Sequence, residues 1–384
     1  MDRTTELELL DELLALKTNK TFYLEEETSK SPVSRYMSQD HFDREHQALF
    51  RNLPQMLAHS SELPDPGSFL RRDLAGLPLL ITRDKDGDVH AFLNVCRHRG
   101  TQLVSEDSGC KHRFSCPYHA WTWNSGGELL AIPHQEQGFP GIDKSTLGLK
   151  ALPCAERFGF IWVHPNADVK LDLDQYLGPI TSDLDWLQAG TLDVFAVEDK
   201  TFDVNWKILI EGGIESYHFK IAHKNTIGPY FQDNLSSYQM FGDHMRSILP
   251  RTALDDLPNQ PRETWDIRTQ TNIIYSIFPT SQFLVQSDHI VWIQMLPISA
   301  NQTRLRLHTL APKPSGGDFD MPASHWKKNH EITLMTLTED FEIGESIQRG
   351  LSSGANDALI FGRYEGALES FNHVIDKHIA QNAS

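Results

Sequence analysis

The sequence predicts an α+β protein made of two successive domains, and three observations carry this prediction. The chain has 384 residues, which is more than one hydrophobic core comfortably fills. Residues 46–166 consist of short apolar runs separated by turn residues, a pattern typical of β structure. Residues 167–384 contain a helical centre, further strand-like runs and closing helices, which predicts a second domain of mixed α and β structure.

The composition excludes several classes of protein. Hydrophobic residues make up 39% of the chain and charged residues 23%, which are ordinary values for a globular protein with a sizeable core. No apolar run approaches the roughly 18 residues that a membrane span requires, so we expect no association with a membrane through such a span. The formal net charge of −17 argues against binding nucleic acid through a basic surface. Small molecules or proteins are therefore the expected partners.

Residues 1–45 are predicted to form a helical segment that packs on the second domain. Leu7, Leu10, Leu13 and Leu14 fall on one face at helical spacing. The segment lacks a basic start, a pure apolar stretch and a small-residue cleavage site, so it is not typical of a signal peptide. A cytoplasmic protein is the resulting expectation.

Strands dominate the first domain, residues 46–166. The runs LPLLITRD and HAFLNV flank the turn Asp86–Asp88 and predict a β-hairpin, and GFIWVHP predicts a closing strand. In the second domain, residues 167–384, a helical centre lies near Trp206–His223. Strands are predicted at IIYSIFP, HIVWIQMLP and TRLRLHTLAP, an exposed loop at Lys313–Ser324, and helices at Trp326–Gly350 and near the C-terminus.

Two Cys-His pairs stand close together in the first domain, Cys96 with His98 and Cys116 with His119. A structural zinc site also uses two Cys and two His, but its ligands usually come in like pairs. In a Rieske 2Fe-2S centre each loop contributes one Cys to one iron and one His to the other. The mixed pairs favour the Rieske centre over zinc, and over four residues without a shared role.

A second pair of histidines, His218 and His223, lies in the helical centre of the second domain. Five residues of regular helix separate two side chains by about 140°, so both can face one metal only if the helix is interrupted. Gly212 and Gly213 lie just upstream and make irregular backbone reasonable. Such a pair is typical of a facial site of two His and one carboxylate that binds non-heme iron, although either His can also be an ordinary core or surface residue.

The stretches NVCRHRG (94–100) and CPYHAWTW (116–123) resemble the Rieske signature in the α subunits of Rieske non-heme iron ring-hydroxylating oxygenases. The resemblance implies a Rieske β domain followed by a helix-grip catalytic domain, in which an antiparallel sheet surrounds a long helix. Tyr118 and Trp121 would then shield the cluster. Ala120 departs from the family, which usually has Gly there, so a slight shift of that loop is expected.

The resemblance extends to NWKILIEGGIESYHFKIAH (205–223) and TEDFEIGESIQRG (338–350). It implies that His218, His223 and Asp340 bind a mononuclear Fe(II), although Glu339, Glu342 and Glu345 lie close to Asp340 and such a run is ordinarily a solvated helix face. It also implies a catalytic role for Glu215, whose carboxylate would connect His218 to His119 of a neighbouring subunit. A ring-shaped oligomer, most often a homotrimer, follows from that connection.

The implied activity is that of a terminal oxygenase component. Electrons from NAD(P)H would arrive through a separate reductase or ferredoxin, because the sequence contains no Gly-rich dinucleotide fingerprint after a strand. O2 and a small-molecule substrate would react at the mononuclear iron. The alternative is a Rieske electron-transfer protein without a working mononuclear iron site.

Two substrate classes remain open on the sequence alone. Segments such as DGDVHAFLNVCRHRG resemble the branch that oxidises choline, glycine betaine and carnitine. Aromatic residues can bind the cationic groups of these compounds. Against that branch, Gly212 stands where Asn is typical and Phe219 where Cys is typical, so an aromatic ring remains an equal candidate. We expect Tyr275, Phe278, Phe283 and Trp292 on strands facing the site, although aromatic residues on strands more often form core.

Overall fold

The computed structural model describes residues 1–313 and 317–382 and divides the backbone into two compact units. The smaller unit is Phe50–Leu173, and the larger combines Met1–Leu49 with the chain from Asp174 onward. The N-terminal segment thus belongs to the same unit as the second half of the chain. Of the predicted loop at Lys313–Ser324, residues 314–316 lie outside the described residues.

The helices and strands are numbered here in chain order over the described residues. The strands are β1 (Ser29–Pro32), β2 (Gln55–His59), β3 (Ser68–Leu74), β4 (Leu77–Arg83), β5 (Val89–Leu93), β6 (Ser108–Cys110), β7 (Arg113–Ser115), β8 (Thr122–Asn124), β9 (Leu129–Ala131), β10 (Ala151–Leu152), β11 (Cys154–Arg157), β12 (Phe160–Val163), β13 (Leu192–Phe202), β14 (Ser237–Phe241), β15 (His244–Pro250), β16 (Thr271–Ile277), β17 (Ser281–Val285), β18 (Ile290–Ser299), β19 (Gln302–Pro312) and β20 (Ala358–Phe361). The α-helices are α1 (Arg3–Thr18), α2 (Ser34–Met37), α3 (Gln39–Glu45), α4 (Gln135–Gly138), α5 (Leu173–Leu177), α6 (Thr181–Leu187), α7 (Trp206–Ile214), α8 (Phe219–Ala222), α9 (Ile267–Gln270), α10 (Ala323–Leu351) and α11 (Gly366–Asn382).

The smaller unit is described throughout and consists of antiparallel sheets with the strand orders β10-β5-β4-β3-β6, β11-β12-β2 and β7-β8-β9. The predicted hairpin is confirmed, since β4 pairs with β5 and places Leu80 opposite Phe92. The run GFIWVHP contains β12, as predicted. Leu80, Phe92 and Trp123 share one buried cluster with Cys96 and Cys116. The two cysteines therefore belong to a core that fixes their positions.

Across the described part of the larger unit, one antiparallel sheet has the strand order β13-β19-β18-β17-β16-β15-β14. The three predicted strand runs correspond to β16, β18 and β19, and α10 begins three residues before the helix predicted at Trp326. The hydroxyl of Thr309 on β19 lies 2.8 Å from Nδ1 of His330 on α10, so this long helix lies against one face of the sheet. This is the expected helix-grip arrangement.

Helix α1 confirms the predicted N-terminal helix. Leu10 and Leu13 are buried, whereas Leu7 and Leu14 are only half-buried, and Glu6 completes the buried face. The Glu6 carboxylate accepts a hydrogen bond of 2.9 Å from the backbone N–H of Ile267, so this face packs against the start of α9. Among the helices that the structure describes, none combines the length and the apolar character that crossing a membrane would need.

Candidate metal centres

Two loops of the smaller unit carry the Cys-His pairs and share one backbone turn. The carbonyl of Cys96 accepts a hydrogen bond of 2.9 Å from the N–H of Gly100, and the carbonyl of Cys116 accepts the same bond from Ala120. The N–H of each cysteine donates at 2.8 Å to the carbonyl of the residue that follows this donor, which is Thr101 in the first loop and Trp121 in the second. Because the turns match, the two loops present equivalent pairs of donors.

The donor atoms of these loops are chemically suited to a 2Fe-2S cluster. Both thiols are buried, both imidazoles are half-buried, and the rings of His98 and His119 lie 4.7 Å apart. Nδ1 of His98 is buried without a hydrogen-bond partner among the described residues. Burial lowers the pKa of His98, and His119 and Arg99 lower it further, which favours the neutral imidazole that binds iron.

Aromatic rings cover the imidazoles. Trp121 is buried and stacks on His98 with ring centroids 4.9 Å apart and planes only 6° apart. Tyr118 packs on His119 at 3.7 Å although 57% of the tyrosine is exposed. The two rings therefore cover the imidazoles that would bind the cluster.

Ala120 occupies a backbone conformation that explains why glycine is usual there. Its φ is +56°, in the left-handed region, and the matching residue of the first loop, Gly100, has a φ of +81°. An alanine in this region is strained by about 1 kcal/mol relative to glycine, because its Cβ approaches the backbone. The second loop thus keeps the shared turn at a small cost in stability.

The larger unit brings His218, His223 and Asp340 together. One ligand atom from each lies within 4.8 Å of the others. Oδ1 of Asp340 is 3.0 Å from Nε2 of His223 and 3.4 Å from Nε2 of His218. Nε2 of His218 is buried and has no hydrogen-bond partner among the described residues. Two imidazoles and one carboxylate in this geometry fit a facial site for non-heme Fe(II).

The helix around these histidines is interrupted, as the five-residue spacing predicts. Helix α7 ends at Ile214, Glu215 is extended with φ −124° and ψ 163°, and α8 is a single turn flanked by His218 and His223. Gly212 and Gly213 lie inside α7, so the glycine pair itself does not break the helix. The break begins after them, at Glu215.

Each histidine has a carboxylate on its other ring nitrogen. Nδ1 of His218 hydrogen-bonds Glu215, whose carboxylate also accepts from the backbone N–H of Tyr217. Nδ1 of His223 lies 2.8 Å from Glu339. Glu339 therefore lies on the far side of the imidazole from Asp340. Of the other acidic neighbours, Glu342 is exposed and Glu345 accepts a hydrogen bond from the backbone of Asp203.

The carboxylates control the protonation of His218 in the metal-free protein. Burial lowers the pKa of His218, but Asp340 and Glu215 raise it more, to about 10. Burial likewise raises the pKa of Asp340, and the two histidines lower it below its usual value. A metal cation at this site would replace the proton that His218 holds at neutral pH.

Helix α7 is fixed at its start by buried polar contacts. The Asn205 side chain accepts from the N–H of Lys207, and its own amide donates to the carbonyl of Ala300 at 2.6 Å. Oε1 of Gln348 on α10 accepts from the N–H of Asn205 at 2.9 Å. The fully buried ammonium of Lys207 contacts Glu45 at 2.6 Å. These contacts hold α7, which precedes the two histidine ligands, against α10, which carries the carboxylate ligand.

The sheet places its aromatic row on the face opposite α7. Tyr275, Phe283 and Trp292 are cross-strand partners and so share one face, where the Tyr275 hydroxyl donates to Asp183 at 3.0 Å. Gln282 points to the other face and donates to the carbonyl of Ile210 in α7 at 3.2 Å. The expectation that these three aromatic residues face the site is therefore wrong. Phe278 follows β16 and stacks on His378 of α11.

Sequence reasoning missed three contributors to this region: Gln282, Thr226 and the role of Glu339. Gln282 is buried against α7, and a Cβ on Gly213 would lie 2.5 Å from its Oε1. Thr226 donates to Glu339 at 2.6 Å. Glu339 was visible only as one acid in a run of acids. No local pattern marks any of the three, because each acts through a partner distant in sequence.

Comparison with known families identifies both domains. A family model described as the Rieske [2Fe-2S] domain matches residues 54–154, and one described as the ring hydroxylating alpha subunit (catalytic domain) matches residues 174–381. The chain belongs to the ring hydroxylating alpha subunit family. This alpha subunit therefore combines a Rieske 2Fe-2S domain with a catalytic domain of the type that binds mononuclear iron.

The relatives of this alpha subunit act on different substrates. It is 26% identical to the carnitine monooxygenase oxygenase subunit of Acinetobacter pittii, over 90% of this chain and 94% of that one. It is 30% identical to the biphenyl 2,3-dioxygenase subunit alpha of Rhodococcus jostii, but over only 49% of this chain and 42% of that protein. The chain thus spans less than half the length of some curated relatives that it matches.

Solved structures share the fold. A quaternary ammonium Rieske monooxygenase in complex with L-carnitine superposes with a TM-score of 0.78 at 22% identity, covering 92% of this chain and 96% of that one. Naphthalene 1,2-dioxygenase from Rhodococcus sp. bound to indole gives a TM-score of 0.76 at 18% identity, with 98% of each chain covered. At these identities the likeness is one of fold.

Proposed function

We propose that the chain is the terminal oxygenase component of a multicomponent Rieske oxygenase, which hydroxylates a small organic substrate with O2 and electrons from a separate NAD(P)H-dependent reductase or ferredoxin. The observation that carries the proposal is the convergence of His218, His223 and Asp340 in a chain that also holds two Cys-His loops. A Rieske electron carrier needs only the Cys-His loops and does not require a site of two histidines and one carboxylate.

The proposed roles of the residues follow from their contacts. Cys96, His98, Cys116 and His119 would hold the 2Fe-2S cluster, and His218, His223 and Asp340 would hold Fe(II). When bound, the cluster supplies electrons and the Fe(II) supplies the site of O2 chemistry. The Glu215 carboxylate accepts a hydrogen bond from Nδ1–H of His218, so that Nε2 is the nitrogen that would bind the metal.

A homotrimer is part of the proposal. The Glu215 carboxylate already contacts His218, and Tyr217 beside it is 53% exposed. A neighbouring subunit that covers this surface with its Rieske domain would place its own His119 near Glu215. Light scattering of the purified protein should then give the mass of three chains, whereas a monomer would contradict this arrangement.

Two substrate classes are tested in parallel. The relative that spans nearly the whole chain is named for carnitine, which supports a quaternary ammonium compound. The aromatic row of the sheet faces away from α7, which removes one possible cation-binding cage. A compound with an aromatic ring therefore remains a candidate substrate. A panel of carnitine, glycine betaine, choline, biphenyl and indole, with labelled O2 and a surrogate reductase, should give labelled product from one class.

The deciding experiment for the oxygenase proposal is the iron and sulfide content of anaerobically purified protein. About three irons and two sulfides per chain are expected, as one 2Fe-2S cluster and one mononuclear iron require. His218→Ala should lower the iron to about two while the Rieske signal in electron paramagnetic resonance (EPR) persists. Two irons in both proteins would instead favour the Rieske electron-transfer protein.

A further inference from the structure

Glu339 has contacts that differ from those of a metal ligand. Its Oε2 lies 2.8 Å from Nδ1 of His223 and also accepts a hydrogen bond of 2.6 Å from the hydroxyl of Thr226. A carboxylate only accepts hydrogen bonds, so Nδ1 carries the hydrogen of His223. Nε2, which lies 3.0 Å from Asp340, is then the nitrogen that exchanges its hydrogen for a metal ion. The Glu339 contact therefore determines which nitrogen of His223 faces the metal position.

The two carboxylates behind the histidines are anchored in different ways. Glu215 is held within its own segment, since it accepts from the backbone of Tyr217 and His218. Glu339 belongs to α10 and reaches across to Thr226, which lies in the turn after α8. That turn is closed by the N–H of Thr226, which donates to the carbonyl of His223 at 3.0 Å. Glu339 thus ties the helix that carries Asp340 to the segment that carries His223.

We propose that Glu339, fixed by Thr226, is a positioning residue of the mononuclear iron site, an inference that rests on the proposed function. Its carboxylate holds His223 in one tautomer and one ring orientation, so that Nε2 and the Asp340 carboxylate meet the metal together. His223 is 1% exposed, so water does not replace a lost partner readily. Carboxylates behind metal-binding histidines typically change metal affinity by about 10- to 100-fold when they are removed.

The test compares Fe(II) affinity in four variants of the full-length protein. Glu339→Gln keeps the shape of the side chain and removes its charge, and it should weaken Fe(II) binding at the mononuclear site by about tenfold. Glu339→Ala should weaken it by up to about 100-fold. Thr226→Val should give a smaller loss, and Thr226→Ser, which restores the hydroxyl, should return the affinity to that of the wild type. Competition with a chelator measures each affinity.

Spectroscopy separates positioning from general damage. The EPR line shape of the nitric oxide adduct of mononuclear Fe(II) should broaden in Glu339→Gln, because His223 can adopt more than one orientation. The Rieske signal should stay unchanged in the same samples. Glu342→Gln is the matched control, since Glu342 is an exposed acid on the same helix, and it should alter neither the affinity nor the line shape.

The outcomes distinguish this inference from the proposed function. Wild-type affinity and line shape in both Glu339 variants would overturn the positioning role while leaving the iron site intact. Wild-type protein that contains the cluster but binds no further iron would overturn the proposed function, and the positioning role with it. If the Glu339 variants do not fold, Thr226→Val and Thr226→Ser decide, because neither changes a charge.

Discussion

The two candidate centres differ in how far apart their donors lie in the sequence. The Rieske donors all lie between Cys96 and His119 on two loops with the same turn, whereas the second centre joins His218 and His223 to Asp340 on a distant helix. The first centre is a local motif supported by a β core. The second exists only when α7, α8 and α10 pack correctly. Substitution of a donor should therefore remove the metal of one centre only. Substitutions that disturb packing should weaken metal binding at the second centre more than at the first.

The largest expected effect is the loss of one metal centre, with the other retained, in each of two variants. Cys116→Ser should remove the 2Fe-2S cluster, its sulfide and its EPR signal while mononuclear iron stays bound, because no donor of the second centre is touched. Asp340→Asn should remove mononuclear iron and keep the cluster. Both variants should lose all turnover. Loss of both metal populations in either variant would contradict the independence of the centres.

Glu215→Gln is expected to lower turnover by at least about tenfold with both metals retained. The variant keeps the shape of the side chain but removes the charge that pairs with His218, so the proposed connection between the centres would weaken while the donors remain. Steady-state turnover and iron content measure the two effects. Glu342→Gln serves as the control, and an equal loss of activity there would assign the effect to surface charge.

The metal-free protein should lose stability as the pH rises. The folded pKa of His218 is about 10, above its ordinary value of 6.5, so its protonation stabilises the apo fold fully below pH 6.5. That contribution is lost as the pH rises from 6.5 through about 10. Urea unfolding of chelator-treated protein should show the decline, and His218→Gln should flatten it. An identical decline in the variant would assign the effect to other groups.

The smallest expected effect concerns the turn that the two Rieske loops share. Ala120→Gly should stabilise the protein by about 1 kcal/mol, since only the backbone strain at φ +56° is removed. Gly100→Ala should destabilise by a similar amount, because a Cβ there has open space around it and meets only the strained backbone. Thermal unfolding of the two variants measures both. Shifts of the same sign would show that the loops are not equivalent.

Sequence reasoning reached the local features of both centres and missed those made by long-range packing. The Cys-His spacing indicated a Rieske centre, and the five-residue gap between His218 and His223 required the broken helix that the structure contains. Asp340 was predicted only through resemblance to a family. Glu339 lies 116 residues from its partner His223, and which acid faces which nitrogen depends on the rotation of α10. No periodicity in the sequence reports that rotation.

The sequence also did not determine which face of the sheet packs against α7. Alternation predicts that neighbours such as Gln282 and Phe283 lie on opposite faces, but it does not say which face receives α7. The buried glutamine contacts α7, and the aromatic residues pack on the far side. The opposite assignment was expected because aromatic rings can bind a cationic substrate.

Helix α8 is only four residues long, and His218 and His223 flank it at either end. A helix of one turn has almost no stability of its own, so its shape depends on the groups that hold its two ends. In the metal-free protein this segment should open more readily than the long helices around it, and hydrogen exchange should be fastest there. A metal held by His218 and His223 would fix both ends of this turn, so Fe(II) should slow hydrogen exchange in the segment.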